Sequence, residues 1–344
     1  MGNDIDCEED QVPAGKPQNR RFRDTTRRLR QGKDAHLSHR ASLDWRLDQR
    51  GVCDKGAPEA DIVTIAELTS ILMKSRTAEA LLACDGLQIL HDRQVTHSQY
   101  YPAGDNRHIV TLNPFHPKGD LLNMLSRELR RVWQHRQGAL VNPLTFEPDE
   151  AILVNRAQTA DALVTAVRIA WELKLAGEND AWDYIAGSPM GDVSRTFEAR
   201  AQTDFRTLNN GEAARAAYDK FFEDSRTKQH DKRVIHQMLL DEQGYIKSVE
   251  KRPHVSMDLF QKLGQLPEGR NYLAIGGKRL PTDMCYATVE DRSNANFLWF
   301  IKFERSFQEK ELKMMRESVK LSAEIVDFTK WSLQSKRGPF STQS

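Results

Sequence analysis

Apolar residues recur at three- and four-residue spacing through most of this chain and alternate only briefly, which predicts many helices and little sheet. The clearest helix is Asp120–Gly138, where Leu121, Leu125, Leu129 and Val132, flanked by Leu122 and Trp133, form one apolar face. Gly119 or Asp120 can start it and Gly138 can stop it, with Arg130, Arg131, His135 and Arg136 towards the negative end of the dipole. Met124, Glu128, Arg131 and His135 make a second stripe on its flank. Upstream, residues 65–83 predict a helix that can break at Lys74–Arg76. Three short strands follow at 87–90, 99–101 and 108–112, with a turn at Pro102–Asn106, and together they read as a small meander.

Downstream the pattern is almost wholly helical. A long helix starts near Asp149 with Leu153, Ala157, Ala160, Val164, Val167 and Trp171 on one face, and Gly177 closes it. Further helices are predicted at 179–186, 190–207, 211–225, 231–243 and 256–263, and a charged amphipathic one at 306–335. Between the last two, Asn296–Ile301 reads as core, and Ile275-Gly276-Gly277-Lys278 reads as a turn because it lacks phosphate-loop spacing. The fold class is α+β and predominantly helical, with a small sheet before the central helix and a helical C-terminal half.

Composition sets the N-terminus apart from the rest of the chain. Residues 1–60 are poor in aliphatic side chains, and Lys16–Arg50 holds eleven basic against four acidic residues. This reads as a basic, largely disordered leader with a weak helix near Ser38–Arg50. Its cluster Arg20, Arg21, Arg23, Arg27, Arg28 and Arg30 is a candidate contact for nucleic acid or protein. The folded body is expected over 61–310, followed by a C-terminal amphipathic helix and tail at 311–344. A net charge of +1, from 50 basic and 49 acidic residues, favours no partner class. Cys7, Cys53, Cys84 and Cys285 are scattered, which suits a reducing cytoplasm and excludes a cysteine-based zinc module. No apolar run is long enough to span a bilayer, and no hydrophobic signal region opens the chain.

The candidate chemistry lies at Arg127-Glu128-Leu129-Arg130-Arg131. Set against the zinc-peptidase pattern His-Glu-x-x-His, it keeps the glutamate and has arginine at both histidine positions. With the strand–strand–helix lead-in and the runs SRELRRVWQHRQGALVNP, NRAQTADALVTAVRIAWELKLAG and DRSNANFLWFIKFERSF, the chain resembles a bacterial family of putative zincin-like metallopeptidases of unknown function. The resemblance implies a zinc ion in the family, with Glu128 at the general-base position and Arg127 and Arg131 at two ligand positions. It places Thr159, in the run Arg156–Ala162, at the acidic third-ligand position. Guanidinium has no available lone pair, so Arg127 and Arg131 cannot bind zinc, and Glu128 would be a vestigial base with no cofactor expected.

Two readings of the arginines follow. Arginine–carboxylate pairs, with Glu128 and with Asp161 or Glu150 from the next helix, can fill the vacated site and join the two helices. Alternatively, the five residues form an ordinary solvated helix face. His91, His97, His108, His116, His135, His230 and His236 include no pair at helical ligand spacing, although His108 and His116 bracket the last strand and can face the helix. The sequence is compatible with three functions. The first is a pseudoenzyme of this family with a binding or scaffold role. The second is an active hydrolase with a rebuilt metal site. The third is a nucleic-acid- or protein-binding module using the basic arm.

Overall fold

The computed structural model describes residues 62–334 apart from 105, 224–225, 241–243, 248–250, 268, 275–279 and 281–282, and it describes no side chain at 284 or 320–334. The basic leader, the helix expected at Ser38–Arg50 and the turn at Ile275–Lys278 lie outside the described residues. Within them the fold is helical with one small sheet, as the spacing predicts. No described helix is long and apolar enough to cross a membrane.

Two short helices open it, α1 (Ile65–Leu72) and α2 (Arg76–Leu82). The break between them falls at the expected place because Ser75 caps α2, its hydroxyl accepting from the Ala78 amide at 3.1 Å. The sheet is β1 (Leu87–His91), β2 (Ser98–Ala103) and β3 (Arg107–Leu112). It is not the expected meander. The order is β1-β3-β2, with β3 antiparallel to β2 and parallel to β1. The reason is side-chain content. His-Ile-Val-Thr-Leu of β3 suits the doubly paired centre, whereas Pro102 of β2, opposite His108, fits only an edge strand. Asn113 fixes the connection that crosses from β1 to the far edge, its side-chain amide donating to the Val95 and Thr96 carbonyls.

The sheet packs on α3 (Lys118–Arg136), which begins slightly earlier than expected, after Pro117. Gly119 is a close-approach residue: a Cβ there would lie 2.2 Å from the Asp180 carbonyl oxygen at the start of α5 (Asp180–Ala186). After Gly138, at φ +65, a 3-10 turn (Pro143–Thr145) leads to α4 (Pro148–Leu175). This helix is the axis of the molecule's folded body. The expected single apolar face is too narrow a description, because α4 is buried without interruption from Ala151 to Trp171. Alanines at 151, 157, 160, 162, 166 and 170 let neighbours approach on every side, as a helix that is buried all round requires.

Around it stand α6 (Gly191–Thr203), α7 (Arg206–Asn210), α8 (Glu212–Phe222), α9 (Thr227–Leu240), α10 (Met257–Leu263), α11 (Met284–Ala287) and α12 (Arg292–Gln334). Nearly all of these pack closely on α4, as do α1, α2, α3 and α5, and α7 is tied to it by Arg168, which donates to the Leu208 carbonyl at 2.8 Å. A second, smaller core joins Ala151 and Ile152 of α4 to Val234, Ile235 and Met238 of α9 and to Leu298 and Ile301 of α12. The run Asn296–Ile301 is therefore core on one side only, since Phe297, Trp299 and Phe300 are exposed.

Candidate functional site

The stretch Arg127–Arg131 is not a solvated face. Arg127, Glu128, Leu129, Arg130 and Arg131 are all buried, between 0% and 6% exposed. The sheet covers one side of α3 and α4 covers another, so the polar side chains must find partners inside the protein.

Glu128 faces β2. Its Oε1 accepts from Ser98 Oγ at 2.8 Å, and Arg131 Nη1, one turn along, donates to Oε1 at 3.0 Å and Oε2 at 3.1 Å. The carboxylate is thus neutralised by the arginine that occupies the second histidine position of the zinc-peptidase pattern. The expected pairing of Glu128 with Arg131 is present.

The second expected pairing is corrected in its partner. Asp161 does approach α3, but the arginine it meets is Arg130, the residue between the two that the motif singles out. Arg130 Nε donates to Asp161 Oδ2 at 2.8 Å, and Nη2 donates to Oδ1 at 3.0 Å, with both side chains fully buried. The same Nη2 also donates to the Leu263 and Gln265 carbonyls at 2.8 and 2.9 Å. Asp161 accepts two further bonds, from Gln134 Nε2 at 2.6 Å and Tyr272 Oη at 2.7 Å. One ion pair therefore ties α3, α4 and the end of α10 together. Glu150, the other carboxylate considered, instead meets His254. Thr159 donates its hydroxyl to the Asn155 carbonyl of its own helix at 2.8 Å.

Two more arginines on α4 do the same kind of joining. Arg156 makes a bidentate pair with Asp231 of α9 at 2.8 and 2.7 Å and donates to the Tyr286 and Thr288 carbonyls. Burial pushes the Asp231 carboxyl up, and the Arg156 guanidinium opposes that only in part. Arg168 pairs with Glu172, whose carboxylate also accepts from Ser75 Oγ, Thr77 Oγ1 and the Thr77 amide. These partners escaped the motif-based reading. The available signal was a stripe of long hydrogen-bonding side chains, Asn123, Arg127, Arg130 and Gln134, at helical spacing and flanked by apolar residues on both sides.

Four of the histidines form two groups against α3. Tyr100 Oη lies 2.8 Å from Nδ1 of both His108 and His135. Burial raises the Tyr100 hydroxyl well above its ordinary range, so it keeps its single proton and can donate to only one of the two. His108 Nε2 is buried with no partner among the described residues. An orphaned lone pair costs less than an orphaned N–H, which assigns the His108 proton to Nδ1 and directs the tyrosine proton to His135. Burial, followed by the neighbouring His135 and Arg136 charges, lowers the His108 pKa. In the second group, His116 Nδ1 lies 3.0 Å from Asp120 Oδ2, and its Nε2 lies 3.3 Å from His97 Nδ1. Both His108 and His116 thus reach the central helix. Among the described residues no three His, Cys, Asp or Glu side chains come together so as to hold a metal ion.

Comparison with known sequences decides the family. A family model described as "Putative metallopeptidase family (DUF6782)" matches residues 51–274, more than half of the chain. The chain belongs to that family. No curated protein and no solved structure matches it. Zinc, which a metallopeptidase implies, does not fit the residues at the inferred positions. Arg127 and Arg131 offer only donors, the Thr159 hydroxyl is turned into its own helix, and the Glu128 carboxylate is held by Arg131 and Ser98.

Proposed function

We propose that this member of the metallopeptidase family is a pseudoenzyme, its zinc-binding motif degenerate and rebuilt as structural ion pairs, and that it serves as a binding or scaffold protein. The observation that carries this reading is the buried Glu128–Arg131 pair, in which the would-be base faces a permanent cation where a metal ligand would stand. A general base needs a water of lowered pKa to deprotonate, and a guanidinium supplies charge but no coordination site for one. The scattered cysteines support placing the protein in a reducing cytoplasm.

Elemental mass spectrometry of protein purified without chelators tests the reading, together with peptidase assays on the wild type and Glu128→Gln. Zinc far below one ion per chain, with no activity lost in the variant, is the expected result. Near-stoichiometric zinc, or a peptidase activity abolished by Glu128→Gln, overturns it in favour of a rebuilt hydrolase site. Contact with nucleic acid through Arg20–Arg30 is a second proposal, supported by the eleven-to-four charge balance of Lys16–Arg50. It predicts steeply salt-dependent binding that disappears on deleting residues 1–55.

A further inference from the structure

Helix α12 has two apolar sides, and the fold covers one. At about 100° per residue, Leu298 and Ile301 face α9 and the start of α4, where they are 7% and 0% exposed. Trp299, Phe300, Phe303, Phe307 and Met314 fall in one stripe on the opposite side, at 64%, 43%, 49%, 58% and 71% exposure. The rings lie against one another along the helix, Trp299 on Phe303 at 5.2 Å and Phe303 on Phe307 at 6.4 Å. Phe300, Phe307 and Met314 are spaced by seven, and the spacing continues in the sequence through Leu321 and Phe328, inside the same helix. A lone helix with about 3.6 residues per turn gains nothing from a strict seven-residue repeat, whereas a seam against another helix requires it.

We propose that this stripe binds a second copy of the chain, the two α12 helices running parallel about a two-fold axis. Charge decides the direction. Glu304 and Glu311 lie along one edge of the stripe, and Lys313 lies towards the other. A parallel pair sets the lysine edge of each copy against the glutamate edge of its mate, whereas an antiparallel pair opposes like charges. The area suits a weak association. At roughly 200 Å² per aromatic side chain, the four exposed rings of the stripe present about 400 Å². Met314 and the stem of Lys310 add to this, still short of the roughly 800 Å² per partner of a stable interface. Lys310 and Glu317 interrupt the seam, so the dimer is concentration-dependent and anchored at its aromatic end. The inference stands apart from the reading of Glu128.

Sedimentation equilibrium of the full chain across the micromolar range is the test, with the 39.4 kDa monomer as reference. The wild type is expected to approach twice that mass, and Phe303→Glu with Phe307→Glu to remain monomeric with unchanged circular dichroism. With the native cysteines replaced by serine, Phe300→Cys and Met314→Cys are each expected to cross-link to their own counterpart through a short bismaleimide. A wild type that stays monomeric overturns the proposal, including one that instead floats with anionic lipid vesicles. So does a dimer indifferent to the double glutamate variant, and cross-linking that appears only when the two cysteine variants are mixed, between position 300 of one copy and position 314 of the other, overturns the parallel arrangement.

Discussion

Replacing Asp161 with asparagine changes one atom of side-chain identity and leaves Arg130 charged in the core. The carboxylate accepts four bonds, two from Arg130 and one each from Gln134 and Tyr272. An amide has one oxygen and one NH₂, so at least one edge would present donors to donors. Breaking a buried pair from one side costs about 3–5 kcal/mol, because the surviving charge is uncompensated. The two carbonyls that Arg130 keeps, Leu263 and Gln265, place the expected loss towards the lower end of that range. Urea unfolding followed by far-ultraviolet circular dichroism measures it. A double-mutant cycle with Arg130→Met separates the pair from its surroundings: the double variant Arg130→Met/Asp161→Asn should lose clearly less than the sum of the singles. A loss below about 1 kcal/mol for Asp161→Asn, or strict additivity, would refute the argument that this pair joins α3 to α4.

Three further outcomes follow from the same physics. Arg156→Met strips Asp231 of its counter-charge and should free α9 and residues 286–288 from α4, at about 3–5 kcal/mol; hydrogen exchange should accelerate there before it does in α3. Glu128→Gln should cost about 1.5–3 kcal/mol through its charged hydrogen bonds to Arg131, and adding Arg131→Met should restore part of the loss in the same unfolding assay. His108 is held neutral, its folded pKa below the ordinary value near 6.5. Its contribution to stability is therefore complete above that pH and lost as pH falls towards the folded pKa. His91, also lowered by burial, acts in the same direction. Urea midpoints taken on either side of that value should show the acid loss, and His108→Gln should reduce it.

The chain's own spacing was enough for the helical class, for the break at Ser75, for the stop at Gly138 and for the Glu128–Arg131 pair, because each depends on residues within a turn or two of one another. The exclusion of zinc at Arg127 and Arg131 was equally local, since it depends on what a guanidinium is. Strand order was not legible: three short apolar runs are compatible with several pairings, and only competition for the sheet centre put β3 between β1 and β2. The choice of Arg130 over Arg127 and Arg131 as the partner of Asp161 needed the docking angle of α3 on α4, which separates side chains that a linear motif treats alike. Burial of Arg127–Arg131 likewise came from surfaces supplied by distant segments, the sheet on one side and α4 on another. The two sides of α12 show the same division. Its seven-residue repeat is written in the sequence, but which apolar side is covered was decided by the packing of Leu298 and Ile301 against α9 and α4.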